Sequence, residues 1–402
     1  MVEFNRARLK NGLTVIHEKR DVPVTTVMLA CKYGSAYETE STKGIAHFIE
    51  HLCFKGTKKR TTFQIASEVE KVGGILNAFT HEEITAYHVK LPSDQLSLAM
   101  DVVFDIYFNP LFPEEEVKRE AQVICEEIKM YKDNPRSYVI DKLKSSLYES
   151  PFGMFIAGTE KNVKSFTRKQ ILELHDTTYC PENSILCVVG NNSFDEVMKM
   201  VEESCKNIKP HEFKEKKIPV VKPKISEFRE ERSNIEQANL AIGFHFPFAT
   251  SGKHYAAEVF NAILGEGMSS KLFTEVREKR GLAYAVKTDL DLGTKYGYFI
   301  IYIGSDKSKV EDVLKISLEE FYKMKDITEK ELEAGKKQVL GNKKVHSEES
   351  DATAIDLILS EIQTKAEDYY LFDKKINSVS LKDIKDLLNV KNHAVSMVIP
   401  SP

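Results

Sequence analysis

The sequence contains no tryptophan, no CxxC pair and no long hydrophobic run. A membrane-spanning helix needs about 20 apolar residues, so none is predicted, and the first residues lack the apolar stretch of a secretory signal. The 57 Lys and Arg residues nearly balance the 61 Asp and Glu residues, for a net charge of −4. Because long basic blocks are absent, we expect neither a nucleic-acid partner nor a membrane partner. The short basic run Lys55–Arg60 is interpreted as a solvated loop.

The cysteines are few and all lie in the first 205 residues: Cys31, Cys53, Cys125, Cys180, Cys187 and Cys205. Most of them occupy apolar patterns, in which a free thiol behaves as a small buried hydrophobe. Disulfides are typical of oxidising compartments, whereas this distribution favours reduced thiols. We therefore expect a soluble, cytoplasmic protein.

The length of 402 residues suffices for two or three domains of about 150 residues each. Residues 206–225 carry three prolines among seven lysines without an amphipathic period, which predicts a linker. A pattern also recurs across it, since Phe112-Pro-Glu-Glu-Glu-Val resembles Ile327-Thr-Glu-Lys-Glu-Leu, 215 positions later. The sequence thus predicts two copies of one fold, in domains 1–205 and 226–402.

Hydrophobic periodicity predicts strands and helices in irregular alternation. The predicted strands are Leu13–His17, Thr25–Cys31, Ala86–Leu91, Ser184–Val189, Gln237–Phe246 and Tyr298–Ile303. The predicted helices are 62–72, 94–106, 113–132, 136–148, 254–264 and 329–345. Without a strict βαβ rhythm, this order favours an α+β fold in which helices cover a mixed sheet in each domain.

One helical segment, Gly44–Phe54, separates its polar and apolar residues sharply. At about 100° per residue, its apolar side chains cover one face, while His47, Glu50 and His51 project together from the other. Two imidazoles at i and i+4 can bind one cation, and a carboxylate beside them can accept a proton from metal-bound water. The alternative is an ordinary polar helix face. Ser41 or Thr42 is the expected N-cap.

A zinc site needs a third protein ligand, and the helix over residues 113–132 offers several glutamates. With Glu120 set at zero, a rotation of about 100° per residue places Glu127 near −20°, at the edge of the apolar stripe. Glu126 faces away, and Glu114–Glu116 suit a solvated face. Periodicity therefore leaves both Glu120 and Glu127 pointing inward.

The segments Gly34-Ser-Ala-Tyr-Glu-Thr and Gly44-Ile-Ala-His-Phe-Ile-Glu-His-Leu-Cys-Phe-Lys-Gly-Thr57 resemble the first-domain signature of the pitrilysin and mitochondrial processing peptidase family of inverzincins. The resemblance implies that His47, His51 and Glu127, 76 residues after the second histidine, bind Zn²⁺. It implies that Glu50 is the general base and that Glu120 supports the site from outside the ligand set. His81 and His88 rank below Glu127 as rival ligands.

Two further segments resemble substrate-binding parts of the same family. Gly73-Gly-Ile-Leu-Asn-Ala-Phe-Thr80 is similar to its peptide-binding edge strand, which implies contacts from Asn77 and Ala78; a turn role for Asn77 is the alternative. Leu264–Val286 is similar to its second signature, which implies that Arg277 holds the substrate main chain and Tyr284 stabilises the oxyanion.

The resemblance covers both halves of the chain and implies a zinc endopeptidase of half length. Full-length relatives form a clamshell of four domains, so a two-domain chain is half of one. Two subunits would then complete each active site, and a homodimer is favoured because this chain carries both signatures. The expected substrates are unfolded peptides or oligopeptides. The alternatives are an active subunit of a heterodimeric processing peptidase and a non-catalytic scaffold.

Overall fold

The computed structural model describes residues 3–206, 208 and 213–401. Within them the chain forms eleven strands, and all six strands predicted from periodicity are present. The strands are β1 Glu3–Arg8, β2 Thr14–Lys19, β3 Val24–Cys31, β4 Ile75–Thr80, β5 Thr85–Pro92, β6 Ser184–Gly190, β7 Glu227–Arg232, β8 Ala238–His245, β9 Ala283–Leu292, β10 Gly297–Ser305 and β11 Ala394–Pro400.

The six predicted helices are also present, with ends that shift by one or two residues. The helices of the described chain are α1 Ile45–Cys53, α2 Thr62–Glu70, α3 Leu96–Phe108, α4 Glu114–Asp133, α5 Pro135–Leu147, α6 Glu160–Ser165, α7 Arg168–Thr178, α8 Phe194–Cys205, α9 His254–Leu264, α10 Val310–Lys323, α11 Glu329–His346, α12 Ser350–Gln363, α13 Phe372–Asn377 and α14 Leu381–Leu387. A π-helical segment, Phe273–Glu278, precedes β9.

The strands form two mixed sheets of matching topology. Sheet 1 has the order β1-β2-β6-β3-β5-β4, and sheet 2 has the order β7-β11-β8-β10-β9. Each contains one parallel pair, β2–β6 or β7–β11, followed by three antiparallel pairs, and β1 is an additional edge strand of sheet 1. This match supports the predicted duplication. The prediction of helix-covered mixed sheets is confirmed.

Helices cover both faces of each sheet, and they bury the alternate side chains of its strands. On sheet 1, the apolar stripes of α1 and α3 pack on one face, while α12 packs against Met28 and its neighbours on the other. On sheet 2, α9 and α10 belong to the core of one face. Helix α5 lies on the other, where Leu143 and Leu147 fill the space above Gly243.

The chain divides into two compact units, each built from three segments. Unit 1 comprises Met1–Ile128, Phe155–Pro219 and His346–Tyr369; unit 2 comprises Lys129–Met154, Val220–Val345 and Tyr370–Pro402. The units differ from the contiguous domains 1–205 and 226–402 predicted from the sequence. The reason is that α5, early in the chain, packs on sheet 2, whereas α12, late in the chain, packs on sheet 1.

The predicted linker, residues 206–225, contains one of the points at which the chain passes between the units, after Pro219. Residues 207 and 209–212 of this linker lie outside the described residues. All six cysteines are free thiols, and all except Cys205 are buried, as the sequence predicts. None of the helices in the described part of the chain has the length and apolar content needed to span a bilayer.

Candidate metal centre

Helix α1 begins differently from the expectation that Ser41 or Thr42 caps it. The N-cap is Gly44, with φ +100°, where a side chain would collide with the carbonyl oxygen of Ala157. The Glu38 carboxylate accepts hydrogen bonds from the N–H groups of Gly44 and Ala46, at 3.0 and 2.8 Å. A carboxylate at this position satisfies unpaired donors and favours the positive end of the helix dipole.

Glu38 is itself fully buried, and its charge is balanced locally. The Lys43 ammonium lies 3.8 Å from the Glu38 carboxylate and donates a hydrogen bond to the Ser35 carbonyl at 2.9 Å. Both side chains are 0% exposed. A buried, charge-balanced carboxylate therefore accepts hydrogen bonds at the start of the helix that carries the histidines.

The structure brings His47, His51 and Glu127 together. Their candidate ligand atoms all lie within 4.8 Å of one another, the only such group of three among the described residues. Glu127 Oε1 is 3.7 Å from His47 Nε2, and Glu127 Oε2 is 3.5 Å from His51 Nε2. Ligand atoms of tetrahedral zinc, with bonds of about 2.1 Å, lie about 3.4 Å apart. The donor set and its spacing therefore fit a zinc ion.

Glu120 lies on the other side of His51, as its place on the helical wheel allows. Its carboxylate is 3.2 Å from His51 Nδ1, so a proton on Nδ1 leaves the Nε2 lone pair directed toward Glu127. Glu120 is only 2% exposed and forms an ion pair with the Lys55 ammonium at 2.7 Å. Lys55 thus belongs to the support of the site, and sequence reasoning missed it.

The interpretation of Lys55–Arg60 as a solvated loop is correct for Lys58 and Lys59, which are exposed, and wrong for Lys55 and Arg60. Besides the Lys55 ion pair, the Arg60 guanidinium is buried and contacts the carboxylates of Glu68, Asp101 and Asp105. These basic residues form ion pairs with acidic residues elsewhere in the chain. Charge density alone could not reveal this pairing.

The side chains of the cluster influence one another's pKa values. Burial lowers the pKa of His47 to about 4, and the adjacent His51 imidazole acts in the same direction. Burial also lowers the pKa of His51, but its hydrogen bonds with Glu120 and Glu127 outweigh this and raise the pKa to about 9. The contact with His51 lowers the pKa of Glu127. To act as a metal ligand, His51 would have to lose its extra proton, because imidazoles bind metal in the neutral form.

Glu50 lies beside the cluster but is not part of it. Burial raises the pKa of its carboxyl group, and a hydrogen bond from Thr80 opposes that shift. The Thr80 hydroxyl donates to Glu50 Oε2 at 2.5 Å. Thr80 was not predicted to be a site residue. The sequence indicated only the edge-strand segment that ends at Thr80.

The predicted peptide-binding residues Asn77 and Ala78 lie in β4, which is an edge strand of sheet 1. Asn77 therefore lies in a strand rather than in a turn, and its Oδ1 accepts a hydrogen bond from the N–H of Ala78 at 2.9 Å. The rival ligands His81 and His88 are not among the three residues of the metal cluster.

Arg277 and Tyr284 belong to unit 2, whereas the metal cluster belongs to unit 1. Arg277 is exposed in the π-helical segment, with its guanidinium 4.8 Å from the centre of the Phe273 ring. Tyr284 is 45% exposed on β9, an edge strand of sheet 2, and its ring occupies the space above Gly304. Both side chains are exposed.

Two family models match the chain: residues 13–160 match "Insulinase (Peptidase family M16)", and residues 165–339 match "Peptidase M16 inactive domain". The first match includes every residue of the metal cluster, and the second includes Arg277 and Tyr284. The family model described as an inactive domain thus matches a part of the chain that lacks an H-x-x-E-H motif.

Curated relatives are similar over most of their length. An uncharacterized zinc protease of Rickettsia felis is 36% identical over 343 residues, which cover 84% of this chain and 82% of the relative. The uncharacterized zinc protease YmxG of Bacillus subtilis is 32% identical over 411 residues, 99% of this chain and 98% of the relative.

Solved structures share the fold. A protease from Helicobacter pylori matches the whole of both chains with a TM-score of 0.93 at 24% identity. A peptidase M16 inactive domain from Pseudomonas fluorescens matches with a TM-score of 0.89 at 20% identity, over 100% of this chain and 98% of the other. The resemblance identified from the motifs is confirmed, and the chain belongs to peptidase family M16.

Proposed function

We propose that the protein is a zinc-dependent endopeptidase that cleaves unfolded peptides or oligopeptides. The observation that carries this proposal is the convergence of His47, His51 and Glu127, with the Glu50 carboxylate beside them. Members of the family that serve only as scaffolds are expected to have lost these groups. Their retention favours catalysis over the scaffold alternative.

A zinc ion held by His47, His51 and Glu127 would supply a Lewis acid and lower the pKa of water in its open position. Glu50 would accept a proton from the attacking water and return it to the nitrogen of the leaving amine. Glu120 would hold the Nδ1 proton of His51, which would leave Nε2 free to bind the metal. In each of these assignments, the atom that has the proposed role is the one that faces the partner side chain.

Peptide recognition is assigned to the edge strand β4. Edge strands pair with extended peptides through backbone groups, and natural sheets block unwanted pairing with charged side chains. The opposite edge of sheet 1, β1, carries Glu3, Arg6 and Arg8, whereas β4 carries no charged residue. Strand β4 is thus the edge suited to a peptide, and backbone pairing tolerates varied side chains.

The active site is proposed to form across two subunits, with Arg277 and Tyr284 of one chain completing the metal site of the other. Arg277 would hold the substrate main chain, and the Tyr284 hydroxyl would donate to the developing oxyanion. A closed homodimeric chamber is favoured because one chain carries both sets of residues. A heterodimer with a separate partner is the second candidate. A cytoplasmic location stays a prediction.

The first experiment measures zinc content and cleavage of a quenched peptide by the wild type and by Glu50→Gln. We expect zinc in both proteins, and a loss of cleavage of roughly 10²- to 10⁴-fold in the variant. A folded wild-type chain without zinc or cleavage would refute the peptidase assignment. Wild-type cleavage by Glu50→Gln would refute the role of Glu50.

The second experiment mixes Glu50→Gln chains with Tyr284→Phe chains. If each site uses both subunits, a mixed dimer contains one intact site, and an equal mixture recovers roughly a quarter of wild-type activity. No recovery after verified subunit exchange would place the complete site within one chain. A monomeric mass together with full activity of the purified chain would exclude both dimer models.

A further inference from the structure

Thr80 connects the general base to the strand that is proposed to bind peptide. It is the last residue of β4, three residues after Asn77, and it is paired in the sheet with Thr85 of β5. Its hydroxyl donates to Glu50 Oε2 at 2.5 Å. The contact bridges 30 residues of sequence and joins α1 to β4 at the metal cluster.

We propose that Thr80 is a positioning residue that orients the Glu50 carboxylate for proton transfer and fixes it relative to the peptide-binding strand. This inference rests on the proposed peptidase function. Thr80 acts through Glu50 and contacts neither the metal ligands nor the peptide in this role. It differs in that respect from Asn77 and Ala78, which are assigned to the substrate itself.

The geometry of a carboxylate explains how the contact orients the base. Thr80 engages Oε2, which leaves Oε1 as the oxygen that accepts the proton from water. A glutamate side chain otherwise samples several rotamers, and its terminal torsion is broad. Threonine is β-branched and stiff within a strand, so its hydroxyl is a fixed donor. One hydrogen bond therefore selects one orientation of the base.

The hydrogen bond has a second consequence because Thr80 belongs to β4. A peptide that pairs with β4 takes its register from the backbone of that strand, and Thr80 sets Glu50 from the same backbone. The reacting carbonyl and the base are then positioned from one rigid element. Since a displacement of about 1 Å can reduce the rate about 10²-fold, this shared reference matters for turnover rather than for affinity.

The test compares Thr80→Val, which removes the donor at nearly constant shape, with Thr80→Ser, which keeps it. For Thr80→Val we expect kcat for a quenched peptide to fall about 10- to 100-fold, while KM and zinc content stay within twofold of the wild type. Thr80→Ser should recover most of the kcat. A crystal structure of Thr80→Val should show the Glu50 carboxylate in another rotamer or spread over several.

Thr85→Val is the matched control, because it removes a hydroxyl from the paired residue of β5. That hydroxyl donates to the Tyr33 carbonyl at 3.0 Å and does not contact Glu50. We expect this variant to lose thermal stability and keep its kcat. Thermal unfolding followed by circular dichroism verifies that all the variants are folded.

The inference is overturned if folded Thr80→Val keeps the wild-type kcat, or if Thr80→Ser is as impaired as Thr80→Val. It is also overturned if the only change lies in KM or zinc content, since the hydroxyl would then serve the substrate or the metal. A wild-type chain that binds zinc but cleaves no peptide refutes the proposed function. An active wild type with an unaffected valine variant refutes only the role of Thr80.

Discussion

Units 1 and 2 contain sheets of matching strand order, yet they use the equivalent helix position in opposite ways. In unit 1, the buried Glu120 on α4 pairs with Lys55 and supports His51. The 215-residue offset between the halves places Gly335 of α11 at the position of Glu120. There, a Cβ atom would lie 2.5 Å from Ile263, so the space is filled by apolar packing. The fold thus accepts either a polar site or a closed core at this position.

The second ligand position shows the same divergence. The offset places Asn342 at the position of Glu127, and its side-chain amide donates to Glu266 Oε1 at 2.9 Å. An exposed amide that is hydrogen-bonded to a glutamate is a weak candidate ligand. Unit 2 nevertheless presents Tyr284 on β9, the edge strand equivalent to β4. One copy therefore holds the candidate metal ligands, and the other has an exposed tyrosine at the corresponding edge.

The largest effect is expected from replacing Glu127, the proposed metal ligand that distinguishes the units. Glu127→Gln should lose zinc and reduce peptide cleavage by roughly 10³-fold or more, because a neutral amide is a poor zinc ligand. Zinc content by atomic absorption and cleavage of a quenched peptide measure this. Glu126→Gln, one residue away and exposed, and Asn342→Ala in unit 2 should retain wild-type zinc. Zinc retention by Glu127→Gln would show that the ligand assignment is wrong.

The next largest effect is expected when a carboxylate is introduced in unit 2 at Gly335, the position that corresponds to Glu120. Gly335→Glu should lower the free energy of unfolding by roughly 3 kcal/mol or more, since it overpacks Ile263 and buries an unpaired charge. Urea denaturation measures the change. Gly341→Glu on the same helix is the control, because Gly341 faces open space. Equal stability of the two variants would contradict the closed-core interpretation.

Lys55 provides a smaller test within unit 1. Lys55→Met should weaken zinc affinity by about tenfold, because Glu120 loses its counter-charge and orients His51 less firmly. Competition with a chromophoric chelator measures the affinity without any activity assay. Lys58→Met removes an exposed charge from the same loop and should bind zinc like the wild type. An unchanged affinity in Lys55→Met would confine that residue to a surface role.

The smallest effect concerns the start of α11, the helix equivalent to α4. The hydrogen bond from Lys271, with a further contribution from the Thr328 N–H, lowers the pKa of Glu331 to about 2. A lowered folded-state pKa gives stability that is present above about 4.5 and is lost as the pH falls toward 2. Glu331→Gln should therefore lower Tm by about 1–3 °C at pH 7, with a difference that shrinks in acid. Calorimetry across this range measures it, and a pH-independent difference would contradict the cause.

Much of the fold followed from local periodicity. The six helices and six strands with clear periods were placed to within a few residues, because burial of one face imposes the period on the sequence. The same argument placed Glu120 and Glu127 on the inward side of α4. The expectation that Glu127 rather than Glu120 is the metal ligand came from the family resemblance, not from periodicity. In the structure Glu127 lies in the cluster with His47 and His51, whereas Glu120 contacts His51 Nδ1.

The supporting contacts were missed for a different reason. Glu38, Lys55 and Thr80 are ordinary residue types at positions without a distinctive period. Each acts through a partner on another element: the start of α1, Glu120 on α4, and Glu50 on α1. Their roles depend on how loops and strands pack, and no local pattern records that packing.

By itself, the sequence determined the polar face of α1, the pattern of the core and the family to which the chain belongs. Only the tertiary structure decided that α5 packs on sheet 2 and α12 on sheet 1, and that Glu38 rather than a local hydroxyl accepts from the first N–H groups of α1. It alone also decided that Thr80 donates a hydrogen bond to Glu50. Amphipathic periods are local consequences of burial and can be read along the chain. Pairings between distant residues arise from the balance of packing over the whole fold, so they appear only when the elements are assembled.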